Sequence, residues 1–240
     1  MTGGLVTAVV AHGTGSRPEF VRACLQRPLA EVGVRLVPVS LRGHGGDERV
    51  DGLGIDQHAA DLAAAARAEA ATVVGGISLG AHAAARLAVD RLLPGLTGLL
   101  LTWPAWTGAP DLVAAANADQ AEQLDREGLA AVLARVRVGA PAWVAEEVAS
   151  SWSGHHLPSF IAALRAVAVS RAPTLVELSA VPVRAAVAVM DDDPLHPASV
   201  GRAWAAALPR GALRATTLAA VTADREALGR ALADAWRSTI

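Results

Sequence analysis

The segment Val73–Ala85 constrains this chain most, because a short β-branched run leads into a Gly-x-Ser-x-Gly turn and an Ala-rich stretch follows. The pattern predicts a strand, a tight turn and a helix, with the hydroxyl of Ser78 pushed out of the sheet. Gly76 and Gly80 lack side chains, so the strand and helix backbones can approach closely. The backbone N–H of Leu79, at the helix start, would face a place where an anionic oxygen could lie. We interpret the segment as a nucleophile elbow; the alternative is a plain Gly-rich turn.

The composition fits one α/β domain with a large core, since 52% of the 240 residues are hydrophobic and 18% are charged. A net charge of −2 without a basic cluster argues against nucleic acid and membrane surfaces as partners. Cys24 is the only cysteine, which excludes an intrachain disulfide. No signal-peptide pattern and no long apolar run is apparent, so the default expectation is a cytoplasmic protein. Scattered histidines and the lack of a Gly-x-Gly-x-x-Gly motif predict no metal and no cofactor.

Strand-like apolar runs alternate with helical segments, which predicts a mainly parallel sheet with helices on both faces. Right-handed crossovers place the carboxyl ends of such strands along one edge of the sheet. The loops at 12–16, 78, 103 and 191–193 all follow strands and are therefore expected to converge. The predicted strands cover residues 5–11, 32–41, 73–77, 96–102, 181–190 and 213–219, and a terminal helix is predicted at 223–237.

Between residues 104 and 173 the pattern changes, because helical segments follow one another without a clear strand. We predict a helical insertion there, lying over a core made of residues 1–103 and 174–240. The predicted helices cover residues 110–126, 128–138, 141–150 and 158–170. Four tryptophans in or beside this region are candidates for the wall of an apolar pocket, or else anchors of the insertion helices. They are Trp103, Trp106, Trp143 and Trp152.

Four motifs in a fixed order resemble the α/β-hydrolase superfamily over essentially the whole chain. They are His12-Gly13 after the first strand, Leu-Arg-Gly-His-Gly at 41–45, the elbow at Ser78, and Met-Asp-Asp-Asp-Pro-Leu-His-Pro at 190–197. The resemblance implies the α/β-hydrolase fold, a mostly parallel sheet with helices on both faces. It also implies that the helical insertion is a cap that shapes the substrate pocket.

The same resemblance implies roles for individual residues. Ser78 would be the nucleophile, and the backbone N–H groups of Leu79 and Thr14 would form the oxyanion hole. Asp193, just before a proline, would be the acid of the triad. The neighbouring carboxylates at 191 and 192 are interpreted as solvated loop groups.

The chain departs from the family pattern at the base, which is expected in the loop after the last strand. That loop, residues 218–223, has no histidine, and none follows His196. A serine hydroxyl is a poor nucleophile without an adjacent base. His12, His196, His155 and His156 therefore remain candidates for a displaced base or for pocket groups. The other histidines are interpreted as a structural group at His44, a surface residue at His58 and a residue packed beneath the elbow at His82.

Two classes of function remain open from the sequence. The first is a cofactor-independent enzyme acting on a hydrophobic carbonyl compound such as an ester, lactone, thioester or polyketide-like molecule. Such an enzyme could be a serine hydrolase with a displaced histidine, or a lyase, cyclase or dehydratase that uses the oxyanion hole for an enolate. The second is a binding protein for a small apolar ligand with a decayed triad. The oligomeric state is not predicted.

Overall fold

Six parallel strands form a twisted sheet in the order β2-β1-β3-β4-β5-β6. The computed structural model describes residues 5–239. Every neighbouring pair in the sheet is parallel, so each connection crosses over one of its faces. The strands are β1 (Val6–Ala11), β2 (Val34–Val39), β3 (Val73–Ile77), β4 (Gly98–Thr102), β5 (Arg184–Met190) and β6 (Gly211–Thr216).

Helices connect the strands and cover both faces of the sheet, as the sequence predicts. Helices α1 and α11 pack on one face, and α2, α3 and α9 pack on the other. The bounds are α1 (Pro18–Ala30), α2 (Ile55–Ala68), α3 (Leu79–Val89), α4 (Leu112–Glu127), α5 (Leu129–Gly139), α6 (Ala142–Trp152), α7 (Leu157–Ala168), α8 (Leu175–Ser179), α9 (Ala198–Ala207), α10 (Leu218–Ala223) and α11 (Glu226–Arg237).

The core lies on both sides of the central strands, which explains why they are continuous apolar runs. Leu99 and Leu101 of β4 point toward α2, α3 and α9, while Leu100 points toward α1 and α11. Successive strand residues face opposite sides of a sheet, so a strand covered on both sides must be apolar throughout. The predicted fold class, an α/β-hydrolase fold with a mostly parallel sheet, is confirmed.

Helices α4 to α7 lie between β4 and β5, where the sequence predicts the helical insertion. They enclose an apolar cluster of their own that includes Leu124, Trp152, Phe160 and Leu164. The rings of Trp152 and Phe160 lie 5.0 Å apart at this centre. The division into a core and a cap remains an interpretation.

Helix α6 is joined to the core by polar bonds and by Trp143, which packs against the apolar layer of α1 and α11. Glu147 pairs with Arg17 at 3.4 Å and with Arg225 at 3.7 Å. The indole Nε1 of Trp143 donates to the hydroxyl of Thr222 in α10 at 2.8 Å. These contacts fasten α6 to the start of α1 and to the two helices that follow β6.

Three local predictions differ from the structure. The last strand ends at Thr216 rather than 219, because Thr217 caps α10 by accepting the N–H of Ala220. The predicted terminal helix begins at Glu226 rather than 223, and α10 was not predicted. The short helix α8 was not predicted.

Candidate active site

Ser78 lies at the turn between β3 and α3 with φ 52° and ψ −112°, a backbone region that residues with a side chain rarely adopt. Its N–H donates to the carbonyl of Thr102 at 2.8 Å, which fixes the turn against β4. A Cβ on Gly76 would lie 2.0 Å from the carbonyl carbon of Gly80, and a Cβ on Gly80 would lie 2.4 Å from the carbonyl oxygen of Ala11. Both flanking glycines are therefore required by close backbone packing.

His196 is the predicted candidate base that contacts the elbow serine. Its Nε2 lies 3.1 Å from the Oγ of Ser78, and its Nδ1 lies 2.8 Å from the Oδ2 of Asp193. Because an ionised carboxylate only accepts, the Nδ1 carries the proton and the Nε2 is free to accept from the serine hydroxyl. The three side chains thus form one continuous hydrogen-bonded row.

The two oxygens of Asp193 have different partners. Oδ2 accepts from the imidazole, while Oδ1 accepts the backbone N–H groups of Leu195 at 2.8 Å and His196 at 3.3 Å. Burial would raise the pKa of this carboxyl, but the bonds from His196 and from the two backbone N–H groups outweigh burial and lower the pKa. The carboxylate therefore stays ionised beside the imidazole.

The two neighbouring carboxylates are exposed, in agreement with their interpretation as loop groups. Asp191 pairs with Arg202 at 2.5 Å. Asp192 accepts the backbone N–H of Leu218 at the start of α10, at 2.6 Å. Neither contacts the serine or the imidazole.

The backbone donors expected to form the oxyanion hole lie on two segments that meet at Ser78. Leu79 is the first residue of α3, where an α-helix leaves its N–H groups without an acceptor inside the helix. Thr14 lies on the loop after β1 and lines the same cavity as Ser78. Within residues 5–239 neither backbone N–H donates to another protein group. A Cβ added to Gly13 would lie 3.2 Å from the Cβ of Ser78, which shows how closely this loop approaches the elbow.

His12 and His44 are buried and hold the loops after β1 and β2 together. The Nε2 of His12 accepts the N–H of Leu41 at 3.0 Å, and its Nδ1 donates to the carbonyl of Gly13 at 2.8 Å. The Nε2 of His44 accepts the N–H of Gly15 at 3.0 Å. Burial lowers the pKa of His12 to about 4 and that of His44 well below its ordinary value. Both imidazoles act as neutral acceptors that position the loop carrying Thr14.

The two histidines before α7 also bond to other groups than the serine. The Nδ1 of His155 accepts the N–H of Gly45 at 2.7 Å, so it links α7 to the loop after β2. The Nδ1 of His156 pairs with the hydroxyl of Ser159 at 2.8 Å. The structure therefore brings neither into the row of side chains at the elbow.

His82 packs beneath the elbow, as predicted. Its Nε2 accepts the N–H of Ala105 at 3.0 Å, and its ring stacks on Trp106 with centroids 4.0 Å apart. Burial lowers its pKa to about 3. The prediction of a surface position for His58 is wrong, because its ring is fully buried on the inner face of α2 and burial lowers its pKa to about 4.

A cavity of about 380 Å³ opens over the serine. No lysine, arginine, aspartate or glutamate of the described residues lines it. Besides Ser78, its polar lining residues are Thr14, His196 and the two amides Asn117 and Gln120. The lining residues are Thr14, Ser78, Ala105, Trp106, Val113, Ala116, Asn117, Gln120, Pro194, Leu195 and His196.

Of the four tryptophans considered for the pocket, Trp106 lines this cavity. Trp103 lies outside the lining and stacks on His196. Trp143 bonds to α10, and Trp152 packs against Phe160 within the helical insertion.

The lining residues on α4 were not predicted. Val113, Ala116, Asn117 and Gln120 are spaced three and four apart, which places them on one face of the helix. This spacing is visible in the sequence, although the direction in which the face points is not.

Within residues 5–239, no group of three or more histidine, cysteine, aspartate or glutamate side chains is arranged to hold a metal ion. In the same part of the chain, no helix has the length and apolar character needed to span a membrane.

Comparison with known proteins defines the class. The sequence model of the alpha/beta hydrolase family matches residues 8–237, so the chain belongs to that family. No curated protein sequence matches it.

Solved structures share the fold at low identity. The putative non-heme bromoperoxidase BpoC from Mycobacterium tuberculosis H37Rv is 22% identical with a TM-score of 0.77, covering 100% of this chain and 94% of that one. A thermophilic esterase from Thermogutta terrifontis is 20% identical with a TM-score of 0.73, at 99% and 92% coverage. The enol-lactonase from Burkholderia xenovorans LB400 is 18% identical with a TM-score of 0.66, at 86% and 81% coverage. At these identities the likeness extends to the fold alone.

Proposed function

We propose that this protein is a serine hydrolase that cleaves uncharged, mainly apolar carboxylic esters, lactones or thioesters. The observation that carries the proposal is the hydrogen-bonded row from Ser78 through His196 to Asp193, with Nε2 3.1 Å from the serine Oγ. This arrangement is the geometry of an activated serine nucleophile. Here acid and base occupy the same loop after β5.

The residues act in the following order. The imidazole of His196 takes the proton of Ser78 as the Oγ forms a bond to the substrate carbonyl carbon. The backbone N–H groups of Leu79 and Thr14 stabilise the negative oxygen of the tetrahedral intermediate. The imidazolium then gives its proton to the leaving oxygen or sulfur as that bond breaks. A water molecule, deprotonated by the same imidazole, releases the acyl group from the serine.

The cavity supports the proposed substrate class. Its walls are formed by apolar side chains such as Trp106, Val113 and Leu195, with the amides of Asn117 and Gln120 as additional polar groups. An ionised group placed there would lose hydration without gaining a partner of opposite charge, which is costly. Uncharged substrates are therefore favoured.

The alternatives left open by the sequence receive less support. A decayed binding protein has no need for an imidazole placed between a strained serine and an ionised carboxylate. A lyase or dehydratase that stabilises only an enolate has no need for an activated nucleophile. The contact between His196 and Ser78 favours acyl transfer over both.

The test is covalent labelling combined with turnover. A fluorophosphonate is expected to label Ser78, and p-nitrophenyl butyrate is expected to be hydrolysed. Ser78→Ala and His196→Ala should each reduce kcat by about 10⁴-fold or more, because triad members act as a unit. His156→Ala is the matched control and should keep wild-type turnover, because the side chain of His156 bonds to Ser159 and does not contact Ser78.

Two results would contradict the proposal. Unchanged hydrolysis by Ser78→Ala would remove the covalent mechanism. Unchanged labelling and turnover in His196→Ala would show that another group activates the serine.

A further inference from the structure

Trp103 lies beside the proposed base without lining the substrate cavity. Its indole and the imidazole of His196 are stacked, with ring centroids 5.5 Å apart and planes inclined by 26°. The residue as a whole is only 7% exposed. One aromatic face therefore covers the imidazole that contacts Ser78.

The backbone of Trp103 is held by a hydrogen bond, and its side chain is held by packing, since the buried indole Nε1 has no hydrogen-bond partner among the described residues. The residue directly follows β4, its φ is 54°, and its N–H donates to the carbonyl of Ala188 in β5 at 3.0 Å. The indole packs in the apolar layer with Phe20, at a ring distance of 6.5 Å, and with Met190. The preceding residue, Thr102, accepts the N–H of Ser78. Trp103 and Ser78 are therefore both positioned by the carboxyl end of β4.

The stacked indole of Trp103 can hold the ring plane of His196, which the carboxylate of Asp193 does not do by itself. The bonds from Nδ1 to Asp193 and from Nε2 to Ser78 act in the plane of the imidazole of His196, so they oppose tilting of the ring out of that plane only weakly. A flat surface against the ring restricts this tilting. In addition, the negative face of an indole attracts a cation, so it favours the imidazolium over the neutral imidazole.

We propose that Trp103 is a positioning residue whose indole face holds the ring plane of His196 and stabilises the imidazolium formed when Ser78 attacks. This inference rests on the proposed hydrolase function. It concerns the proton-transfer step: the imidazolium that receives the serine proton must later pass it to the leaving oxygen. Substrate binding should be little affected, because Trp103 does not line the cavity.

The experiment compares two esters with the same acyl group. Ethyl butyrate needs a proton on its leaving oxygen, whereas p-nitrophenolate leaves without one. Values of kcat/KM are measured for wild type, Trp103→Phe, which keeps an aromatic face, and Trp103→Met, which is apolar but has none. Trp143→Met is the matched control, since that tryptophan bonds to α10 rather than to the triad.

We expect Trp103→Met to lose about tenfold in kcat/KM with ethyl butyrate and clearly less with p-nitrophenyl butyrate. Trp103→Phe should recover only part of the loss, and Trp143→Met should leave the ratio of the two esters at its wild-type value. Equal losses with both esters, or equal losses for Phe and Met at position 103, would overturn the proposal.

Thermal unfolding of each variant separates these outcomes from misfolding. If Trp103→Met does not fold, the comparison of wild type with Trp103→Phe decides, because a phenyl face attracts cations less strongly than an indole. An unchanged ester ratio in that variant counts against the proposal. Failure of the hydrolase function itself is recognised separately, as absence of turnover and of phosphonate labelling in the wild-type protein.

Discussion

Asp193 performs two tasks with the two oxygens of one carboxylate. Oδ1 accepts backbone N–H groups and shapes the turn, and Oδ2 accepts the Nδ1–H of His196. An amide in place of the carboxylate can keep the first task, because its oxygen still accepts. It fails in the second, because its NH₂ group cannot accept from the imidazole.

Asp193→Asn should therefore leave the fold intact and reduce kcat by about 10⁴-fold, since the imidazole would adopt the wrong tautomer. Turnover of p-nitrophenyl butyrate and thermal unfolding are measured together. Asp191→Asn, an exposed residue of the same run paired with Arg202, is the control and should retain activity. Wild-type turnover in Asp193→Asn would exclude an orienting role for this carboxylate.

At the residue scale the sequence predicted the nucleophile and acid candidates but left the base among four histidines. The distance from His196 to Ser78 depends on how the loop after β5 meets the turn after β3, and residue spacing does not contain this information. The burial of His58 was predictable. It lies on the stripe formed with Ile55, Leu62 and Ala66, which has the period of a buried helix face.

At the scale of elements, α4 forms one wall of the cavity through the face that carries Val113, Ala116, Asn117 and Gln120. Asn117 donates its amide N–H to the carbonyl groups of Val113 and Ala114, so the amide nitrogen already has hydrogen-bond partners within the helix. Gln120 has no such bond among the described residues. It is therefore the polar position of this wall most suited to substitution.

Gln120→Leu should shift the chain-length preference toward longer acyl groups, because it replaces a polar wall group by an apolar one. Each methylene that becomes buried contributes about 0.8 kcal/mol, so the ratio of kcat/KM for p-nitrophenyl octanoate to that for the acetate should rise several-fold. Gln123→Leu provides the control, because Gln123 does not line the cavity and its side-chain oxygen accepts from Arg135. The same rise in both variants would show that the effect does not arise at the cavity wall.

The element boundaries were largely predictable, since apolar runs and caps are local signals. Helices α4 to α7 begin and end close to their predicted limits, whereas the segment after β6 was misjudged. There Thr217 caps the short helix α10 through a local bond to the N–H of Ala220, a signal that the sequence analysis missed. The second bond, from the N–H of Leu218 to Asp192 in the loop after β5, joins distant residues, so local composition does not reveal it.

At the scale of the whole molecule, four buried imidazoles make folding sensitive to acid. Burial lowers the pKa of His12 and His58 to about 4, that of His82 to about 3, and that of His44 well below its ordinary value. The unfolded chain takes up protons near the ordinary pKa of about 6.5, while the folded chain does not. The free energy of unfolding is therefore highest above that pH and falls as the pH decreases below it.

Urea unfolding between pH 8 and pH 5 should show little change above pH 7 and a steady loss below about 6.5. Each histidine contributes up to about 1.4 kcal/mol per pH unit in this window. Carboxylates add little there; Glu177, whose pKa is lowered to about 2 mainly by the backbone bond at Thr174, loses its stabilisation only below its ordinary value of 4.5. His58→Leu should reduce the slope, and a flat curve between pH 7 and pH 5 would contradict the prediction.

The placement of acid and base on a single loop has a consequence for how such a site can change over time. Two of the three residues proposed for the chemistry lie on the short peptide 193–196. A single insertion, deletion or loop replacement there would therefore displace or remove both of them together. In the proposed mechanism the carboxyl-terminal segment after β6 supplies no base, so its residues would be under selection for folding alone.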